Sequence, residues 1–245
     1  MLFNIGPWDI ALVAAVSAQA TVLAYLYRPK WKAFVLNLPI PFTIACLAVN
    51  RPIDATNVLG LILLLLFTHG VRLLYSKLHL KIIPSIALSA FGYCLIGWLF
   101  ARFIPAGEPA FWLSCLITFG IAVTLLKIFP DRPEEGHRTD LPVWLKLPII
   151  ITVVTFLVAI KKELLGFTTV FPMVGVIAAY EARHSLWTIS RQIPVLMLTM
   201  IPMMAVCRLG QHQFGLGPSL AMAWVLFLAL LFLGIRYTKL IFPER

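Results

Sequence analysis

Residues 54–75 read DATNVLGLILLLLFTHGVRLLY, and this stretch decides the fold. Crossing a hydrocarbon layer about 30 Å thick takes about 20 predominantly apolar residues in a helix. The stretch is long enough, opens at Asp54, and carries His69 and Arg72 only toward its end. It predicts a transmembrane helix. Eight further segments qualify on either side: 9–27, 33–49, 82–103, 109–129, 144–161, 165–182, 189–206 and 217–236. The second, seventh and eighth of the nine are short or interrupted by proline, so they are expected to kink, tilt or re-enter.

Composition agrees. Of 245 residues, 61% are hydrophobic and 12% charged, whereas soluble domains carry roughly 25% charged residues. The excess apolar surface must face lipid. The fold class expected is all-α, a polytopic transmembrane bundle of about nine spans. The loops are too short to hold a second folded unit, so residues 1–245 form one membrane domain. The first segment has no basic residues before it, opens at Asp9 and ends in Tyr25-Leu26-Tyr27. That does not resemble a cleaved signal, and the segment is expected to remain as a helix.

The net charge is +10, but the Lys and Arg residues form no stripe or aromatic-interleaved patch of the kind nucleic acid requires. They sit in short runs between apolar segments. With the N-terminus outside, segments 28–32, 72–81, 127–146, 183–191 and the C-terminal tail hold 15 Lys and Arg residues. Arg51, Arg102, Lys161, Lys162 and Arg208 make 5 on the other side. Positive residues are retained on the cytoplasmic side, which selects N-out and C-in. The expected location is a bacterial cytoplasmic membrane.

An internal duplication is also expected. Segment 41–49 (PFTIACLAV) and segment 172–180 (PMVGVIAAY) each begin at a proline and lead to a polar residue, Asn50 or Glu181. Each follows a Lys-bearing hinge, Arg28–Lys32 or Lys161–Glu163, and each precedes two long apolar segments. Matching 9–103 with 144–236 leaves 109–129 as a connector. The halves are then offset by an odd number of spans and cross the bilayer in opposite directions. This 4+1+4 inverted arrangement recurs in secondary transporters.

The second half also resembles the GlpM-like family of small bacterial inner-membrane proteins, through Phe171-Pro172, Ile177-Ala178, Tyr180 and the charged loop to Arg183. Ile201-Pro202 and Gly217-Pro218 extend the likeness over residues 145–236. Members are single units, so the resemblance implies a tandem-duplicated relative. The family is linked by name to alginate production, which implies a rival role as a non-transporting accessory subunit of envelope-polysaccharide machinery.

Proline inside a helix removes a donor and frees carbonyls, and such groups persist at membrane depth only when buried in protein or lining a wet cavity. Pro39, Pro41 and Pro172 make such breaks. With Asn37 before the first, Thr168 and Thr169 before the second and Gly175 beyond it, they form the expected substrate site. Glu181 and His69 are expected to couple transport to protons, because ionisable groups at membrane depth usually face a cavity or partner. Gln19, Ser17, Tyr93, Arg191 and Gln192 are weaker candidates that fit helix-packing hydrogen bonds equally well.

Cys46, Cys94, Cys115 and Cys207 form no C-x-x-C pair and read as apolar filler. The acidic and His residues of the 131–140 loop lack a cation-binding spacing. No metal or cofactor is expected. With no H-E-x-x-H, G-x-S-x-G or phosphate-binding glycine loop, neither is enzyme activity. The expected function is secondary or facilitative transport of a small solute or lipid-linked molecule. The expected partners are the bilayer, that substrate, and a second copy of the chain or an accessory membrane protein.

Overall fold

The computed structural model describes residues 6–105, 107–130, 132, 134–137, 140–160 and 165–241. The Lys161–Glu163 hinge, Asp131 and Arg138 lie outside them. The described elements are α1 (Pro7–Tyr25), α2 (Pro29–Leu36), α3 (Ile40–Val49), α4 (Ala55–Ser76), α5 (Ile82–Ala101), α6 (Glu108–Ile128) and α7 (Val143–Ile160). A 3₁₀ segment (Leu165–Val170) follows, then α8 (Met173–Glu181), α9 (Leu186–Phe214) and α10 (Leu216–Ile241). No strand occurs among the described residues. Among the described residues, seven units are long and apolar enough to cross a membrane, counting α2 and α3 together as Pro29–Val49, while Val143–Val158 and Gly166–Glu181 are shorter apolar helices. The chain is a helical protein of multi-pass membrane type.

The deciding stretch folds as α4, and its start is chemically fixed. Asp54 accepts from the Thr56 backbone N–H at 2.8 Å and from the Thr56 hydroxyl at 2.5 Å. Asn57 Oδ1 accepts the Asp54 N–H at 2.8 Å, giving a reciprocal cap that satisfies otherwise free donors.

Segments 33–49 and 165–182 are not continuous helices. The first stops at Leu36 and restarts at Ile40; the second is a 3₁₀ segment followed by α8. Pro39 and Pro172 stand at the restarts as N-caps, where a missing N–H costs least. The eighth segment behaves differently. Expected over 189–206, it is instead a helix of 29 residues that runs through Pro194 and Pro202. Its flanks pack on α4, α6 and α10, and this enclosure carries the helix past two breaks that would end an isolated one.

α4 and α9 cross the middle of the bundle against each other, and α6 touches both. α5 pairs with α4 and α10 with α9, while α1 packs on α3, α7 and α8. Outward side chains of α5, α6 and α10, such as Phe91, Phe119 and Phe232, are exposed apolar groups, as lipid contact demands. The two interrupted units lie inside this frame, the 3₁₀ segment packed against α3 and α4.

Candidate functional site

A cavity of about 70 Å³ opens where the two breaks meet. Asn37, Pro39 and Pro41 line it from the first break, and Thr169, Pro172 and Gly175 from the second. Thr68 of α4 joins them; Ile193, Leu196 and Met200 of α9 supply an apolar wall. Of the seven substrate-site residues expected from sequence, Thr168 alone falls outside the lining. It is buried one residue away in the 3₁₀ segment.

The polar backbone at each break is met by side chains from neighbouring helices. Gln19 of α1 donates through Nε2 to the Val35 carbonyl at 2.6 Å and to the Leu38 carbonyl at 3.2 Å. Thr43 donates to the Pro39 carbonyl at 2.8 Å and accepts from the Trp224 indole at 2.8 Å. At the second break, Tyr93 of α5 donates to the Phe167 carbonyl at 2.9 Å. Asn57 of α4 donates to the Thr169 hydroxyl at 2.8 Å, and that hydroxyl donates to the Gly166 carbonyl at 2.7 Å. Buried carbonyls without such donors would cost a lost hydrogen bond each. Side chains of the surrounding helices therefore satisfy carbonyls that the breaks leave free.

Close approach makes this possible. A Cβ on Gly166 would overlap the Thr56 hydroxyl and meet the Asn57 backbone nitrogen at 3.0 Å; one on Gly60 would meet Val170 Cβ at 3.1 Å. Glycine at 166 and 60 lets the 3₁₀ segment lie directly on α4.

Asn37 is 4% exposed. Its Nδ2 donates to Gln192 Oε1 of α9 at 3.2 Å, while its Oδ1 is buried without a partner. The unmet atom belongs to a side chain of the cavity lining.

Glu181 and His69 lie outside that lining. Glu181 is 2% exposed at the end of α8, with its Oε1 2.6 Å from Lys146 Nζ of α7. Its backbone carbonyl accepts from Lys32 Nζ of α2 at 2.8 Å. Two buried lysines from different helices thus close on one residue. His137 and His184 meet edge to face, ring centroids 5.0 Å apart. Burial first, then the positive Arg183, pushes His137 below the ordinary histidine value of 6.5.

His69 packs on Phe129 at 5.0 Å between ring centroids, and its Nδ1 accepts from Arg72 at 3.3 Å. Arg72 and Arg132 flank the Trp187 ring at 4.6 and 4.3 Å. Glu134 accepts the Trp187 and Thr188 backbone N–H groups at 3.2 and 2.7 Å. The start of α9, the end of α4 and the segment after α6 are thereby joined. The carboxylate of Glu134 is thus a cap on the first turn of α9. Among the described residues, no three His, Cys, Asp or Glu side chains converge on a metal position.

At the opposite end of α4 and α9, Arg208 donates to Glu108 of α6 at 2.8 Å and to the Ile53 carbonyl at 2.8 Å. Gln211 Oε1 accepts the Ile53 N–H at 2.8 Å. Both ends of the α4–α9 pair are therefore clasped by an arginine near the C-terminus of one helix reaching the start of the other.

Sequence reasoning missed Asn57, Lys146 and Trp187. Asn57 reads as an ordinary first-turn residue, Lys146 as an interfacial charge and Trp187 as an aromatic anchor; their partners are distant in sequence. Gln19, Tyr93 and Gln192 were visible as polar residues within apolar segments, and their packing role is the one observed. No family model, curated protein or solved structure matches the chain.

Proposed function

We propose that the chain is a secondary or facilitative transporter of a small solute in a bacterial cytoplasmic membrane. One observation carries the reading: two proline-interrupted helices, far apart in sequence, meet at a single cavity walled by residues of α4 and α9. Interrupted helices around a midplane site are how many transporters expose backbone groups to a substrate.

The inverted 4+1+4 repeat, with nine crossings, is part of the proposal. Several contacts support it by exchanging partners in pairs. α5 touches α8 as α10 touches α3, and the 3₁₀ segment rests on α4 as α2 rests on α9. α1 meets α7 and α4 meets α9, as helices beside a pseudo-two-fold axis must. The Arg208 and Arg72 clasps correspond under the same exchange. In this reading, opening the cavity to one side releases one clasp while the other holds.

Coupling to protons acts at the Glu181–Lys146 pair, which latches α8 to α7 at the N-out chain's inner face. Neutralising Glu181 weakens the latch without touching the substrate. The cavity's size favours a small solute over a lipid-linked one. The test is flux into sealed proteoliposomes across a panel of small solutes, with and without a proton gradient. Solute uptake that Glu181→Gln uncouples from the gradient supports the reading. Absence of flux with correctly inserted protein, alongside a stably copurifying membrane partner, would favour the accessory-subunit role.

A further inference from the structure

Three charged side chains from three helices are buried together at the end of α8. Lys32 of α2 is 1% exposed, Lys146 of α7 is 5% and Glu181 is 2%. The Glu181 carboxylate lies 2.6 Å from Lys146 Nζ, whereas Lys32 Nζ donates to the Glu181 carbonyl at 2.8 Å. Among the described residues, neither lysine forms an ion pair with another carboxylate. Glu134 caps α9, Asp54 caps α4 and Glu108 pairs with Arg208, while Glu135 and Asp140 are exposed. Arg183 adds a further positive charge just after α8, where it donates to the Tyr180 carbonyl at 3.3 Å. His137 and His184 face the same group and add no negative charge.

Two buried cations therefore share one carboxylate. The C-terminal end of α8 carries roughly half a negative charge, so it offsets Lys32 only in part. Withdrawing an ion from water is costly unless an opposite charge replaces the water, and a neutral donor would satisfy the same carbonyl at lower cost. Lys32 is better suited to be a second ion-pair partner than a cap. The geometry allows the exchange. A lysine carries its ammonium on a flexible four-carbon stem, and Lys32 Nζ already rests on the residue whose carboxylate it would take. Each lysine also keeps a lesser partner while the other holds the carboxylate. For Lys32 this is the Glu181 carbonyl. For Lys146 it is the Tyr25 ring of α1, 5.9 Å from Nζ to the centroid and within reach of a cation–π contact.

We propose that Glu181 is the shared anion of a two-position switch, paired with Lys146 here and with Lys32 in a second state of the protein. α8 is latched to α7 in one state and to α2 in the other. Because α8 also brings Pro172, Met173 and Gly175 to the cavity, its change of partner is passed on to the cavity wall. That use in alternating access rests on the transporter reading; the exchange itself does not.

The test is treatment of the purified full chain in detergent with an apolar carbodiimide, which joins a carboxylate to an amine touching it, followed by peptide mass spectrometry. Wild-type protein is expected to give two links from Glu181, one to Lys146 and one to Lys32. Lys146→Met should raise the Lys32 link several-fold. Absence of the Lys32 link from wild type and from folded Lys146→Met alike would overturn the proposal. Thermal midpoints decide independently. Since either lysine serves the carboxylate, the Lys32→Met, Lys146→Met double variant should lose about 3 °C or more beyond the sum of the two single losses. On a Glu181→Gln background that excess should vanish. Simple additivity, or an excess that persists with Glu181→Gln and so reports only repulsion between the lysines, would overturn the switch. Should the double variant misfold, the links formed by the wild type and by Lys146→Met still decide the matter. Both links without solute flux into vesicles would leave the switch standing and remove the transport reading. Flux with no link to Lys32 would do the reverse.

Discussion

Glu181 is held through two different atoms, its carboxylate by Lys146 and its carbonyl by Lys32. Removing one member of a buried pair strands the other, at a cost of about 3–5 kcal/mol. Glu181→Gln is therefore expected to lower the unfolding midpoint in detergent markedly. Adding Lys146→Met should recover much of the loss, because no unpaired charge then remains on α7. A melt of the double variant no higher than that of the single one would refute this account. His137 supplies a milder, pH-dependent effect. Its proton affinity is reduced in the folded chain, so stability from its neutral form is complete above about pH 6.5. That stability declines as pH falls through 6.5 toward the lower folded value. His137→Asn should flatten the stability profile below pH 6.5 while leaving pH 8 unchanged. Glu181 could be singled out in the sequence as a carboxylate at an apolar helix end. Its role could not, because Lys146 comes from α7 and only the packing of α7 on α8 brings them together.

At the scale of elements, the interrupted units are stabilised from outside themselves. Tyr93→Phe removes the donor to the Phe167 carbonyl and is expected to cost about 1–3 kcal/mol, with helical circular dichroism unchanged. Gly166→Ala should cost as much or more, since overpacking against Thr56 and Asn57 must push the 3₁₀ segment off α4. Comparing thermal midpoints of these variants with that of Gly92→Ala, where a Cβ meets nothing within 4 Å, checks the argument. Equal midpoints for the two glycine variants would show that contact with α4 does not hold the segment. The prolines announced both breaks, because a missing donor is a local property. They did not announce the form each break takes. The first is a short gap between α2 and α3, while the second is a 3₁₀ segment, and the difference follows the donors offered by Gln19 in one place and by Asn57 and Tyr93 in the other. Pro194 and Pro202 gave the opposite outcome, continuing within α9 because its neighbours enclose it.

For the whole molecule, the 15 to 5 distribution of Lys and Arg residues predicts a definite orientation. In right-side-out cells or vesicles, a cysteine placed at Ser76 on a background lacking the four native thiols should resist a membrane-impermeant reagent until the membrane is permeabilised. One placed at Arg51 should react at once. The reverse pattern would invert the proposed topology and exchange which clasp faces the cytoplasm.

The sequence by itself determined that this chain is helical and of membrane type, and it marked the prolines at which two of its helices break. Those properties follow from apolar length and from missing proline donors, both readable one segment at a time. It also marked Asn37, Pro39, Pro41, Thr168, Thr169, Pro172 and Gly175 as a set. Only the tertiary structure decided that these residues, Thr168 excepted, share one cavity, and that Glu181 and His69 stand apart from it. That division depends on how α4 and α9 cross and on which helix start faces which, and such relations arise from packing between segments remote in the chain.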